Sequence, residues 1–377
     1  METLATGGHG DIIATGDKSG RLTLAKVIGE NLAIEHQLDL GASINSVKVT
    51  GFWAIAGCVD SSCRIVNINT GNQLARFEHP SPVDEVQVCS ASEHLLLLGG
   101  RQYTVIELRD GIAKFVNQFE RDMEASSAST TRGMTIVTYW NGSIVKISLL
   151  NGRHRILHAE SDDAVICSDT DQSRAVTGGS GGSVMGWDLT NEQLLFHATD
   201  GGANDVYAVA CHNEHIASAD CGGAIRLWAW TGQLKRVLAE HVGAVRTLAY
   251  HPNFDVLVSA GDAKFLCVWC AKSGRLVKRL IKNNTKIHQM ALNTKHIVLA
   301  GPRCGFSKIW FHLDFYEKRT LFKIQNLKQS GQISCLSIRR SATFHFQRLR
   351  CNVSSPLVLS VMHNICDYHS AYIMPFT

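Results

Sequence analysis

Several short patterns in this chain have the residue types and spacing of chemistry, and each needs a structural context for that chemistry to run. Gly178-Gly179-Ser180-Gly181-Gly182 matches Gly-x-Ser-x-Gly, the sharp strand-to-helix turn that presents a serine nucleophile in α/β-hydrolases. Ser183 to Leu189 continue with the alternation of a strand, so the helix that would follow Ser180 is missing. Cys267-Val268-Trp269-Cys270 is a Cys-x-x-Cys. On a strand, residues three apart point to opposite faces, and no second pair stands at zinc spacing. His154 and His158 would share one face of an outer strand, but no third ligand lies near them in sequence. Asn141-Gly142-Ser143 is a glycosylation acceptor only in a secreted chain. We expect no catalytic residue, no metal and no cofactor.

Composition narrows the setting. The 377 residues are 45% apolar and 19% charged, enough for a full core and too apolar for a disordered chain. No apolar run reaches the length of a membrane-spanning helix, and the first residues, Met1-Glu2-Thr3-Leu4-Ala5-Thr6, have no signal-peptide pattern. Twelve cysteines are spread singly, unlike a disulfide scaffold, which places the chain in the cytoplasm or nucleus with reduced thiols. The net charge of +4 is uneven, because residues 318–350 hold eight of the 37 Lys+Arg and no acid. That leaves 29 bases against all 33 acids elsewhere, a net −4. A nucleic-acid partner is therefore not expected outside that stretch, and neither is a membrane.

What must position any functional side chain is a repeat. Tryptophans stand at 187, 228, 269 and 310, 41 residues apart each time, and each ends an alternating segment. The same spacing carried backwards lands on Ile147, Leu108, Val66 and Ala25. Nine residues before each end-point stand Gly16, Gly57, Gly99, Thr138, Gly178, Ala219, Ala260 and Gly301, all small. A small residue closing one strand, a polar turn and a second strand make a hairpin, and glycine suits a tight hairpin backbone. Further β-type runs precede the hairpins (Ile44–Val49, Val83–Val88, Val206–Ala210, Ala244–Tyr250) and follow them (Gln73–Phe77, Gln193–His197, Gln233–Leu238). Four strands per 41 residues is the content of a propeller blade.

Val184-Met185-Gly186-Trp187-Asp188-Leu189, the Asp60-to-Gly71 turn-strand-Thr-Gly segment, Leu227-Trp228-Ala229-Trp230-Thr231-Gly232 and His241 ahead of Ala244-Val245 together resemble the WD-repeat β-propeller family over about residues 5–338. The resemblance implies an all-β single propeller of four-stranded blades, eight favoured over seven. A C-terminal strand near 332–338 would close it, supplying the first strand that Thr3 to Gly8 does not convincingly provide. Residues 1–340 are assigned to the propeller and 341–377 to an irregular tail. It also implies structural roles for Trp187, Asp188, Trp228, Trp269, Trp310, His241 and Ser259. His241, Ser259 and Trp269 form the best candidate for the family's intra-blade hydrogen-bond set, although Ala263 stands where an Asp belongs.

Function then falls to the loops. In a propeller, the turn between the two middle strands and the loop entering the innermost strand open on one face, and rigidly held loops concentrate recognition residues. That face would carry Trp140, Arg101, Lys18, Lys264 and Arg303 as partner-binding residues, beside Asp84, Asp205 and His241. Trp and Arg dominate interface hot spots, and Trp140 is the foremost candidate. The expected role is a non-catalytic scaffold for partner proteins or peptides, as a subunit of a larger complex. The alternatives are the substrate-recognition subunit of a ubiquitin ligase without its F-box segment and, from another class, a propeller-type hydrolase using an arginine cluster around Arg101 and Arg303.

Overall fold

The computed structural model describes residues 3–9, 11–28, 31–89, 93–109, 112–199, 204–263, 265–280, 286–292, 296–300, 310–316, 319–325 and 335–337. Lys264, Arg303 and the 341–377 tail lie outside them. The described residues are strands joined by turns, with one 3-10 turn at Ser180–Gly182. Among them, no helix is long and apolar enough to cross a membrane.

Among the described residues, seven sheets have four antiparallel strands in chain order, and an eighth has three. The innermost strands are Thr3–His9, Ile44–Thr50, Glu85–Cys89, Ala125–Thr131, Val165–Asp171, Val206–His212, Val245–Tyr250 and Gln289–Leu292. We number the blades by them. Each inner strand lies against the next, and Gln289–Leu292 lies against Thr3–His9, so the eight close a cycle.

Burial within a blade follows strand position. The third strand of blade 2, Ser62–Asn67, is buried at five of its six residues, because sheets cover it on both sides. The outermost strand, Gln73–Glu78, is exposed at four of six. The core is a series of layers between neighbouring blades: Leu22 and Leu24 of blade 1 pack with Ile44, Val47 and Val66 of blade 2, and Tyr103 of blade 3 with Tyr139 of blade 4. Each such aliphatic side chain contributes about 1.5–3 kcal/mol on burial.

The small residues that marked the repeat are small for a reason other than the turn. A Cβ on Gly16 would meet Ile44 Cγ2 at 2.4 Å, one on Gly57 would meet Val83 Cγ1 at 2.6 Å, and one on Gly178 would meet Val206 Cγ1 at 2.5 Å. In all three the obstacle is the first apolar side chain of the next blade. At these positions the spacing records blade-to-blade contact, repeated from one blade to the next.

Three expectations are corrected. Thr3–His9 forms its own strand, paired with Ile12–Asp17, so blade 1 borrows none. The short strand Cys335–Ser337 pairs instead with His296–Ala300 in the eighth sheet, whose innermost strand abuts blade 1. Trp310 does not end a third strand as Trp269 does. It opens Trp310–Tyr316, which pairs with Arg319–Gln325 in a separate two-stranded sheet, so its 41-residue spacing from Trp269 is not structural equivalence.

Candidate functional site

The remaining tryptophans lock blades 5 to 7 from inside. Trp187 Nε1 donates to Thr177 Oγ1 at 3.2 Å, Trp228 Nε1 to Ser218 Oγ at 2.8 Å and Trp269 Nε1 to Ser259 Oγ at 2.8 Å, each indole being at most 3% exposed. Buried polar groups require such partners. In blade 7 the chain of bonds extends to His241, whose Nε2 lies 2.8 Å from Ser259 Oγ. Ser259 Oγ receives the Trp269 N–H and, with its hydroxyl hydrogen and second lone pair, can bond Nε2 in either neutral tautomer of the ring. His241 Nδ1 is buried without a hydrogen-bond partner. Burial first, and the Arg279 charge second, hold the His241 pKa down to about 4. Buried at 7% exposure, His241 is therefore part of the scaffold and not of the surface.

Asp188 closes its turn by accepting from the Thr190 amide (2.8 Å) and the Asn191 amide (3.1 Å). These bonds, the Asn191 amide foremost, keep its carboxyl below the usual carboxylate range. The sequence patterns that suggested catalysis or metal binding are spent in the same way. Ser180 lies in the hairpin turn between Arg174–Gly179 and Ser183–Asp188. Cys267 and Cys270 are free thiols on one strand, the first buried and the second partly so. His154 packs edge-on to Phe119 of blade 3 (4.5 Å between centroids), while His158 approaches Trp187 of blade 5 (6.0 Å). A register shift in the pairing of His154–His158 sends the two imidazoles to opposite neighbours, in place of the shared face their spacing suggests. Among the described residues, no group of three His, Cys, Asp or Glu could hold a metal.

The surface that remains is the mouth of the ring on the side of the middle turns. Asp84 and Asp205, at the entrances to the inner strands of blades 3 and 6, reach across to those turns: Asp84 Oδ2 accepts from the Gly100 amide and Asp205 Oδ1 from the Gly181 amide, both at 3.1 Å. Beside Asp205 lies a depression of about 420 Å³ lined by Trp140, Ile166, Asp205, Tyr207, Arg246 and His288. Trp140, in the middle turn of blade 4, is 48% exposed there. Arg101 and Lys18 are also exposed on the middle turns of blades 3 and 1, but neither lines the depression.

Sequence reasoning missed Ile166, Tyr207 and Arg246. Each is the second residue of its inner strand and falls in a register shift, between Val165 and Cys167, Val206 and Ala208, and Val245 and Thr247. A bulge re-aims one side chain out of the sheet, here toward the mouth. Asn45 and Ser126 occupy the same bulge in blades 2 and 4, and their polar side chains are used on the next blade, Asn45 Nδ2 donating to Val83 O at 3.3 Å and Ser126 Oγ to Val165 O at 2.5 Å. Apolar or aromatic residues at the bulge have no such bond to make and line a pocket instead. The signal was present as a residue after a buried Val, recurring about every 40 positions.

The electrostatics of the depression are fixed on its far side. Arg246 donates through Nε to Asp262 Oδ1 (2.5 Å) and through Nη2 to Oδ2 (3.3 Å), with its guanidinium 5.8 Å from the centre of the Tyr207 ring. Lys286 Nζ reaches Asp262 Oδ2 at 2.7 Å. Held by these bonds, the Arg246 one first, Asp262 has its pKa lowered to about 2. His288 is pushed below its ordinary value by burial and by these two cations, and so is neutral near pH 7.

Comparison with known proteins fits this geometry. A model of the WD domain, G-beta repeat, matches residues 232–270. The kinesin-like protein KIF21B of Mus musculus is 22% identical over 293 residues, which cover 67% of this chain and 17% of that protein. Pre-mRNA-processing factor 19 of Bos taurus is 27% identical over 133 residues, 34% of this chain and 26% of its own length. The chain thus spans only a minor part of either relative. Among solved structures, Chaetomium thermophilum Sqt1 bound to the N-terminus of the ribosomal protein L10 superimposes with a TM-score of 0.68 at 16% identity, over 80% of this chain and 94% of that one.

Proposed function

We propose that this chain, a member of the WD-repeat β-propeller family, works as a non-catalytic interaction platform that holds partner proteins or peptides at the mouth beside Trp140. One observation carries the reading: a half-exposed indole stands on the rim of a depression with Tyr207 and Ile166 in its walls. A large apolar side chain held out on a rigid turn gains most when a partner covers it. The Sqt1 neighbour, whose structure contains the N-terminus of L10, is a propeller that holds a peptide. That likeness supports the class of function without naming this chain's partner. The eight free cysteines among the described residues agree with a reducing compartment, and we place the protein in the cytoplasm or nucleus, within a larger complex. Arg101 and Lys18 are secondary contact candidates on the same face, and Lys264 and Arg303 remain so on sequence grounds alone. Neither the ligase-subunit reading nor the hydrolase reading has a specific observation in its favour.

The test is affinity capture with wild type, Trp140→Ala and Phe52→Ala, followed by mass spectrometry. Phe52 is 66% exposed, in the turn between Ile44–Thr50 and Trp53–Cys58, on the opposite side of the disc. A set of partners lost with Trp140→Ala and kept with Phe52→Ala is expected. Partners kept by Trp140→Ala and lost with Phe52→Ala would move the binding face to the other side.

A further inference from the structure

The turn that carries Trp140 is clasped by two loops. The Trp140 amide donates to Glu124 O at 3.4 Å, and Asn141 O accepts from the Ser161 amide at 2.9 Å. These loops carry Asp122, Glu124, Glu160, Asp162 and Asp163, all exposed, on segments bonded to the Trp140 turn. Among the described residues, none of the five is in an ion pair, and the sixth carboxylate, Asp205, is engaged only by the Gly181 amide. The cations nearby are Arg101 and Arg121, joined through the Arg121 amide to Arg101 O (2.9 Å). Arg121 lies 5.4 Å from the centre of the Tyr139 ring. Six carboxylates therefore face two guanidiniums on this side. Across the depression the balance reverses, with Arg246 and Lys286 converging on the single carboxylate of Asp262. The mouth is graded, negative around Trp140 and positive around Lys286.

From this gradient we propose that the mouth reads basic peptides, the Trp140 side taking an arginine or lysine side chain of the partner. The proposal rests on the reading of this mouth as the partner site and names the partner's chemistry. An indole face attracts a cation through its quadrupole, and the surrounding carboxylates supply the counter-charge and draw the partner in over about a Debye length, roughly 8 Å at physiological salt. An acidic peptide or a nucleic-acid phosphate would meet the same carboxylates as repulsion. The aromatic wall makes the place a pocket and the charge selects the occupant. The basic residue lies at the Trp140 end, with the rest of the peptide running toward Tyr207 and His288.

The experiment uses the full chain and fluorescein-labelled Gly-Ser peptides of equal length carrying Arg, citrulline or Glu at the same alternate positions, titrated by anisotropy at about 50 mM and about 200 mM salt. The Arg peptide is expected to bind at least about tenfold more tightly than the other two. Trp140→Ala should weaken it about tenfold, and the pair Asp162→Asn and Asp163→Asn should weaken it several-fold and flatten its salt dependence. Phe52→Ala should leave it unchanged, and matched thermal unfolding curves would show that the variants fold. Absence of Arg-peptide binding, or binding indifferent to Trp140→Ala or to the Asp pair, overturns the proposal. If the citrulline or Glu peptide is preferred and still depends on Trp140, the basic preference falls while the interaction face stands. Capture partners indifferent to Trp140→Ala remove the face itself.

Discussion

Acid should loosen blade 7 through His241. In the folded protein its Nε2 is hydrogen-bonded to Ser259 Oγ at 2.8 Å, its ring stacks on Phe265 at 5.1 Å, and Nδ1 is buried with no partner. A second proton would bury a charge in the core, and do so beside Arg279, which is why the pKa falls to about 4. In the unfolded chain the same group titrates near 6.5. A base whose folded pKa is depressed contributes stability that is fully present above the unfolded value and is lost as pH falls toward the folded one. With these two values the loss is about 2 kcal/mol at about pH 5 and approaches about 3 kcal/mol below pH 4. The assay is urea unfolding of wild type and His241→Gln at about pH 7.5 and about pH 5, read as the difference between the two proteins. The glutamine amide can still bond Ser259 but does not titrate. The difference is needed because Asp169, whose carboxyl burial pushes up to about 6, gains stability over part of the same window, while His79 and His215, lowered by burial, lose it. Parallel losses in wild type and His241→Gln would refute the assignment.

Three further outcomes follow from the packing. Ser259→Ala strands both the Trp269 indole and His241, whereas Ser218→Ala strands only Trp228, so the first should cost about 2–4 kcal/mol and the second about half as much, by chemical denaturation. Gly57→Ala drives a methyl group into Val83 Cγ1 and should cost about 1–3 kcal/mol, with Val83→Ala in the same chain restoring part of it. Trp140→Ala, at an exposed site, should lower stability by no more than about 1 kcal/mol, and loss of folding would show that the indole is a core residue.

The hairpins of blades 1 to 7 were legible because one constraint recurs at a fixed interval: each third strand is covered on both faces, and the small residue before it, where it is glycine, stands where a Cβ would collide, with the next blade at Gly16, Gly57 and Gly178 and with the entry loop of its own blade at Gly99. Ala25, Val66, Leu108 and Ile147 all lie in third strands even without a tryptophan. The reading failed at the end of the ring. Thr3–His9, with Gly7 and Gly8, has little strand propensity of its own and is held by its hairpin with Ile12–Asp17 and by lying between the inner strands of blades 2 and 8, a non-local cause that composition does not reveal. Trp310 fitted the spacing and began a different hairpin, since an interval identifies a position only while the elements before it keep their lengths. At the mouth, Trp140 and Asp205 were legible as turn residues. Tyr207, Ile166 and Arg246 were not, because a bulge that turns one side chain out of a strand leaves the alternating pattern around it intact; His288, just ahead of Gln289–Leu292, was not because its place beside them depends on ring closure.

The worn signature of blades 2 to 4 has a physical logic of its own. Where the tryptophan is present, the residue ten positions earlier is Thr177, Ser218 or Ser259, each bonded to the indole. In blades 2 to 4, Val66, Leu108 and Ile147 stand in its place, and ten positions earlier are Ala56, Leu98 and Val137, all buried. Hydroxyl and indole are replaced together. Losing one alone would bury an unpaired polar group, whereas exchanging both for apolar groups can be nearly neutral. The same logic can be imposed on blade 6. Ser218→Ala leaves the Trp228 N–H without an acceptor and Trp228→Leu leaves the Ser218 hydroxyl without a donor, so each single change bears an orphan that the double change lacks. The double variant should be less destabilised than the sum of the singles by about 0.5–3 kcal/mol in denaturant titrations. Strict additivity would mean that the indole bond is incidental and that area alone holds the blade.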